Sequence, residues 1–289
     1  MAILLDLSTR LLIQGITGHQ GTFHAQACRE FGTYVAAGVT PGKGGTTQGG
    51  VPVFDTVAQA VAAQRPNVSL IFVPARFAMD AVFEAIDAGG IQTVIVITEH
   101  IPFHDALRMV TYARLRGVRI VGPNCPGVIS PCQAVKAGIM PSSIFTAGDH
   151  AVISRSGTLT YEIVHHMSVN GLGQSTVLGL GGDPVVGTTF IEALALLQAD
   201  PETEKIVLVG EIGGSAEEDA AAYITQHVTK PVVAYIAGHS APEGKRMGHA
   251  GAIITRGKGT AASKAHALEK AGVAVAKRPF EVPQLLKKA

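Results

Sequence analysis

From residue 11 onward, short apolar runs rich in β-branched residues alternate with longer segments of helical period. "LLIQGI", "YVAAGVT", "VSLIFVPA", "TVIVITE" and "VRIVGPN" read as strands, and "FHAQACREFG", "DTVAQAVAAQ", "FAMDAVFEAIDAGG" and "HDALRMVTYARLRG" read as the helices between them. The strands are apolar at nearly every position, as strands covered by helices on both faces should be. Five strands joined in this way predict a doubly wound parallel sheet. A second series follows, with strands in "HAVISRSG", "STVLGLGGD", "KIVLVGEIGG", "KPVVAYIAG" and "VAVAKR" and helices in "LTYEIVHHMSVNG", "TTFIEALALLQAD", "AEEDAAAYITQHV" and "ASKAHALEKAG". The fold class is therefore α/β, in two similarly built halves. Between them, "GPNCPGVISPCQAVKAGIMPSSIFTAGDH" opens with three prolines in ten residues and shows little periodicity. The predicted division is a first domain over 1–128, a connecting segment over 129–148 and a second domain over 149–289.

Composition narrows the class of protein. The 289 residues suit two domains, with 47% hydrophobic and 16% charged residues, 34 glycines, five tyrosines and no tryptophan. That balance excludes a disordered chain. A formal net charge of +1 argues against a nucleic-acid or anionic-membrane binder, which needs a basic face. The first apolar stretch is broken by Asp6 and Arg10, and nowhere is an apolar run long enough to span a bilayer. Cys28, Cys125 and Cys132 form no Cys-x-x-Cys pair, so a reducing compartment, the cytoplasm, is expected.

Candidate chemistry sits in the glycine-rich turns. "GITGHQG" places Gly15, Gly18 and Gly21 after a strand and before a helix, where backbone N–H groups and the helix dipole receive a phosphate. Its spacing is not the dinucleotide fingerprint Gly-x-Gly-x-x-Gly, and a tight turn with close helix packing is the alternative. The second strand ends in "GVTPGKGG", with Lys43 where an NAD site has its ribose-binding acid. A cation there suits coenzyme A or NADP, or is simply a solvated loop charge.

In the second half, "SRSGTLTYE" offers Ser156, Gly157 and Thr158 at a helix start, as an anion site or as a plain serine N-cap. "GLGGDP" and "GEIGGSAEE" add glycines at the ends of successive strands, so three loops are expected on one rim. Glu211 closes the strand "KIVLVGE" and should project into that rim. Glu217, Glu218 and Asp219 fall in the next helix's first turn, where acids favour the dipole and are read as structural. His249, in "GKRMGHAGAI", is bracketed by small residues that leave room around its ring. A neutral imidazole is a competent nucleophile toward phosphorus, and a carboxylate on the other ring nitrogen, supplied by Glu211, would fix the tautomer. No Walker-type loop occurs, so a phosphorylated His249 needs a nucleotide held by another subunit. The remaining histidines show no metal-type spacing, and no metal is expected on this chain.

"GITGHQGTFH", "GVTPGKGGTT", "VGPNCPGVISP", "SRSGTLTYE", "GGDP", "GEIGGSAEE" and "GKRMGHAGAI", in this order over nearly the whole chain, resemble the alpha-subunit family of succinyl-CoA synthetases. The resemblance implies an N-terminal Rossmann-like CoA-binding domain and a C-terminal flavodoxin-like domain bearing a transiently phosphorylated histidine. It implies a beta subunit whose ATP-grasp domain supplies NTP and Mg²⁺, in a heterodimer or heterotetramer. Coenzyme A contacts fall by position on Thr17, Gly18, His19, Gln20, Lys43, Ile97, Thr98 and Glu99. His249 becomes the phosphohistidine and Glu211 its carboxylate, Ser156 and Gly157 the phosphate-binding turn, and Tyr161 a residue facing the acid. Cys125 would lie near the CoA thiol, with no catalytic role assigned. His19 departs from the small residue usual in the family, but the backbone donors of the turn do not depend on it. The implied reaction is the succinate–CoA ligase step of the tricarboxylic acid cycle. A malate- or citrate-specific ligase of the same architecture, an NAD(P)-linked oxidoreductase and a non-catalytic CoA-sensing module are the alternatives.

Overall fold

The computed structural model describes residues 3–255, 257 and 259–289. The first half runs β1 (Leu11–Gln14), α1 (His19–Phe31), β2 (Val35–Val39), β3 (Thr47–Gln48), β4 (Val51–Phe54), α2 (Val57–Gln64), β5 (Val68–Ile71), α3 (Ala75–Asp87), β6 (Thr93–Val96), α4 (Phe103–Leu115) and β7 (Arg119–Val121). Its sheet has the order β3-β4-β2-β1-β5-β6-β7, parallel except for the short β3–β4 pair. Apart from β3, this is the strand order of a dinucleotide-binding sheet, and winding reverses between β1 and β5. Strands β1, β5 and β6 are buried at every position, in keeping with their unbroken apolar sequences.

Strands β3 and β4 go beyond the five-strand expectation. Each is short, Pro52 interrupts the run, and Gly49 and Gly50 between them turn through positive φ, so no alternating pattern is long enough to read.

The second half runs β8 (Gly127–Ser130), β9 (Val135–Gly138), β10 (Ala147–Ser154), α5 (Gly157–Val169), β11 (Gln174–Gly179), α6 (Phe190–Ala199), β12 (Lys205–Glu211), α7 (Ala216–His227), β13 (Val232–Ala237), α8 (Ala261–Lys270), β14 (Ala274–Ala276) and α9 (Val282–Leu286). Its order is β14-β13-β12-β10-β11-β8-β9. The five parallel strands follow the flavodoxin order, with winding reversed between β10 and β12. The stretch 129–148, expected as a connection, is in part built into this sheet: β8 pairs antiparallel with β11 and with β9. Its prolines mask the strands because they fall beside them, Pro126 before β8 and Pro131 after it.

The two sheets share a core. One buried apolar cluster runs from Leu11, Leu70 and Val121 in the first half through Val135 and Ala137 to Ile153, Leu208 and Ala234 in the second. At the seam α1 lies over β9. Thr33 Oγ1 donates to the Lys136 carbonyl and accepts from the Lys136 N–H, both at 2.8 Å. Gly32, which ends α1 at φ 123°, has no room for a Cβ against the Ala134 carbonyl. Among the described residues no helix is long and apolar enough to cross a membrane.

Candidate active site at the two reversal points

Each half has its crevice where winding reverses, at the carboxyl ends of the central strands. In the first half the turn after β1 fills that position. Gly15 is at φ 84°, and a side chain on Gly21 would overlap the Gly15 carbonyl, so the glycines let α1 begin directly against the strand end. Gly18 is the N-cap and supplies no side-chain cap, which leaves the first turn of α1, with His19 and Gln20 exposed, open to an anion. Thr17 Oγ1 donates to Thr40 Oγ1 at 3.1 Å, and the Lys43 N–H to the Thr40 carbonyl at 3.1 Å, so Thr17 and Lys43 flank one residue. The nearby acid, Asp55 after β4, accepts the Gly44 N–H at 2.8 Å and is thereby committed to the Lys43 turn. An uncapped helix start beside a lysine suits a phosphate-rich ligand such as coenzyme A.

In the second half β12 delivers Glu211 and β10 is followed by Arg155 and Ser156, on the two sides of the reversal. His249 Nδ1 lies 2.9 and 2.8 Å from the two Glu211 carboxylate oxygens. Glu211 is 7% exposed. Its hydrogen bond raises the His249 pKa above the ordinary value, against burial of the ring, with the Glu211 charge adding to the rise and Arg155 opposing it. With Nδ1–H on the carboxylate, Nε2 carries the lone pair. The ring seat depends on Gly182, where any Cβ would overlap the imidazole, and the Gly251 N–H donates to the Gly182 carbonyl at 3.3 Å. Gly213 abuts the Gly251 carbonyl too closely for a side chain, and its N–H donates to the Gly259 carbonyl at 2.8 Å. The "GGDP" and "GEIGG" turns thus meet the histidine loop beyond β11 and β12, the rim where glycine turns at successive strand ends are expected.

The structure joins His249 to the first half as well. His249, Asp183 and Asn124 line a cleft of about 320 Å³ with Glu99, His100 and Phe103. Asn124 Nδ2 donates to Asp183 Oδ1 at 2.9 Å, and the Asn124 N–H to the Thr98 carbonyl at 3.1 Å. Glu99 therefore shares a cavity with His249, and Thr98 supports it from behind. Ile97 packs against the shared core. Thr17, Gly18, His19, Gln20 and Lys43 lie outside the residues that line this cleft.

Ser156 is the N-cap of α5: its Oγ accepts the Leu159 N–H at 3.4 Å, and Gly157 opens the helix. Tyr161 is half-buried one turn on, and burial pushes its phenol up to about 12, reinforced by the neighbouring Cys125. Cys125 is buried, donates to the Val96 carbonyl at 3.4 Å and is itself pushed up to about 12 by burial, so it is a thiol and not a nucleophile. Among the described residues no group of three His, Cys, Asp or Glu side chains is placed to hold a metal.

Sequence reasoning missed Arg155, Asn124, Asp183 and Lys264, and it read Glu217 too simply. Asp219 behaves as a first-turn acid, accepting Ser215 Oγ at 3.0 Å. Glu217 is fully buried and holds both Arg155 and Lys264. No local signal marks it, because its partners lie 62 and 47 residues away.

The chain thus joins a Rossmann-like sheet with an uncapped glycine turn to a flavodoxin-like sheet presenting a carboxylate-held imidazole, and the two parts match models of CoA-binding and CoA-ligase proteins. Residues 6–100 match the model of the CoA-binding domain, and 153–274 that of the CoA-ligase family. The chain is 54% identical to the succinate–CoA ligase [ADP-forming] subunit alpha of Aquifex aeolicus, over 100% of this chain and 94% of that one. It is 55% identical to subunit alpha 2 of the same ligase from Archaeoglobus fulgidus, over 99% of each. The chain belongs to the succinate–CoA ligase alpha-subunit family. Among solved structures, the ATP citrate lyase of Methanosaeta concilii in complex with (3S)-citryl-CoA superposes with a TM-score of 0.88 at 24% identity, a likeness of fold. It covers 99% of this chain, which spans half the length of that one.

Proposed function

We propose that the chain is the CoA-binding, phosphohistidine-bearing subunit of a succinate–CoA ligase, catalysing succinate + CoA + NTP ⇌ succinyl-CoA + NDP + phosphate. The observation that carries this reading is the His249–Glu211 pair, which holds Nδ1 and frees Nε2 in a cleft shared with Glu99. Nε2 attacks the γ-phosphorus of the nucleotide, the bond from that phosphorus to the β-phosphate oxygen breaks and NDP leaves, and Glu211 compensates the positive charge that develops on the ring. The phosphoryl group then passes to a succinate carboxylate, and the CoA sulfur displaces phosphate from the acyl phosphate. Positioning and anion stabilisation carry these transfers, a task that suits Ser156 and Gly157 at the start of α5. Thr17, Gly18, His19, Gln20 and Lys43 hold the phosphates of CoA, and Ile97, Thr98 and Glu99 the rim nearer His249. Tyr161 faces the acid.

Nucleotide and Mg²⁺ are assigned to a beta subunit with an ATP-grasp domain. The names of the relatives, ADP-forming alpha subunits, support ATP and a second subunit. The test mixes the chain with a beta subunit, γ-labelled ATP or GTP and Mg²⁺, and maps acid-labile, base-stable label. Label is expected on His249 and absent from His249→Ala, which should still bind CoA. Discharge by CoA plus succinate, faster than with malate or citrate, is the expected substrate order. Full synthetase activity in His249→Ala would sink the assignment.

A further inference from the structure

Behind Glu211 lies a buried charge cluster that the proposed chemistry does not use. Glu217 and Lys264 are both 0% exposed. Glu217 Oε1 accepts from Arg155 Nη1 at 3.2 Å and from the Glu211 N–H at 3.1 Å, and its Oε2 accepts from Lys264 Nζ. Arg155 Nη1 and Lys264 Nζ also both donate to the Gly213 carbonyl, at 3.2 and 2.7 Å. The ends of β10 and β12 and the starts of α7 and α8 are thereby tied together at Glu217, with Glu218 Oε2 also 3.8 Å from Lys264 Nζ. The other arm of Arg155, Nη2, stands 3.6 Å from Glu211 Oε1, an oxygen that also meets His249.

As a fastening alone such a cluster is inefficient, since well-packed apolar residues often do as well as a buried ion pair. What distinguishes this one is its hold on Glu211 from two sides, through the backbone N–H and through Arg155. A guanidinium free to turn would form a two-pronged bond with Glu211 and occupy the oxygens that receive Nδ1. Glu217 claims one arm of Arg155 and keeps the other at ion-pair distance. Glu211 then keeps its oxygens for the imidazole.

We propose that Glu217, Lys264 and Arg155 are positioning residues for His249, holding Glu211 aimed at Nδ1 while keeping Arg155 from displacing the ring. The expected effect on rate rests on His249 being the phosphoryl carrier. The expected effect on the ring does not.

Two variants separate positioning from mere fastening. Glu217→Gln leaves the buried Lys264 ammonium only the Gly213 carbonyl and Glu218 Oε2, at 3.8 Å, and should melt lower, whereas Glu217→Gln with Lys264→Met removes both charges and should regain most of the lost stability. The ring of His249 is followed by NMR through a pH titration. The charged or titratable groups around it are Glu211 on β12, Arg155 after β10, Asp183 after β11, and Glu99, His100 and Arg246 along the cleft. In the double variant Arg155 turns to Glu211, so His249 should titrate at lower pH than in the unaltered chain. In the complex with a beta subunit, label reaching His249 should form about 100-fold more slowly, the order of loss that a small misplacement causes, with CoA affinity unchanged. A stable double variant with an unaltered His249 titration and labelling rate would overturn the proposal and leave a fastening. Failure of the unaltered complex to take label would instead overturn the proposed function, and the titration would still decide the role of the cluster.

Discussion

At the scale of single residues, the pair His249 and Glu211 sets a pH dependence whose direction follows from its geometry. The carboxylate on Nδ1 raises the imidazole pKa above the ordinary 6.5, outweighing burial. Protonated imidazole has no lone pair on Nε2, so only the neutral ring attacks phosphorus. Labelling of His249 is therefore expected to rise with pH through a midpoint above 6.5. Glu211→Gln keeps an acceptor for Nδ1–H but removes its charge, and should move that midpoint to lower pH while slowing transfer. The measurement is the initial labelling rate against pH for both proteins. A midpoint that stays put in Glu211→Gln would mean that the carboxylate does not govern the ring. Glu211 was legible beforehand because it ends an apolar strand, and His249 because small residues bracket its ring in the loop after β13. Arg155, Glu217 and Lys264 were not, since their meaning arises only when β10, α7 and α8 meet.

At the scale of elements, what could be read was what repeats. The parallel strands and the helices between them carry periods of apolar residues long enough to recognise, and the glycine turns mark where they end. Elements without such a run escaped: the β3–β4 hairpin, broken by Pro52, and β8 and β9, hidden among prolines and glycines. These last two strands explain how the halves are fastened, because Lys136 on β9 is bonded to Thr33, just past the end of α1 in the other half. Thr33 is 3% exposed, so Thr33→Val leaves the buried backbone N–H and C=O of Lys136 without that partner. Each such loss costs about 1–3 kcal/mol. A clear fall in the urea midpoint at unchanged slope is expected. A midpoint equal to that of the unaltered protein would show that water or a neighbouring group replaces the hydroxyl at no cost.

For the molecule as a whole, the question is whether its two sites stand on one body. A core cluster that runs through both sheets, a seam fastened at Thr33, and Thr188 donating to the Ile120 carbonyl at 2.6 Å across the other edge all favour one cooperative unit. The proposed path needs this rigidity, because CoA is assigned to the first half while His249 rides on the second, and Glu99 and His249 line one cleft. Calorimetry of the chain with CoA tests the point. A ligand at 100 times its Kd stabilises the state it binds by about 2.7 kcal/mol. If the halves unfold together, the whole transition should move up as a single peak, although the proposed contacts lie in the first half and its rim. If they are independent, CoA should split the trace, lifting one component and leaving the other, and the shared cleft would then be a meeting of two separately stable bodies. A trace that does not move at all would count against CoA at the β1–α1 turn and leave cooperativity to be read from the peak width. The single shifted peak is the expected result, because a buried seam with reciprocal hydrogen bonds and a continuous apolar core leaves neither half a surface on which to end its own unfolding.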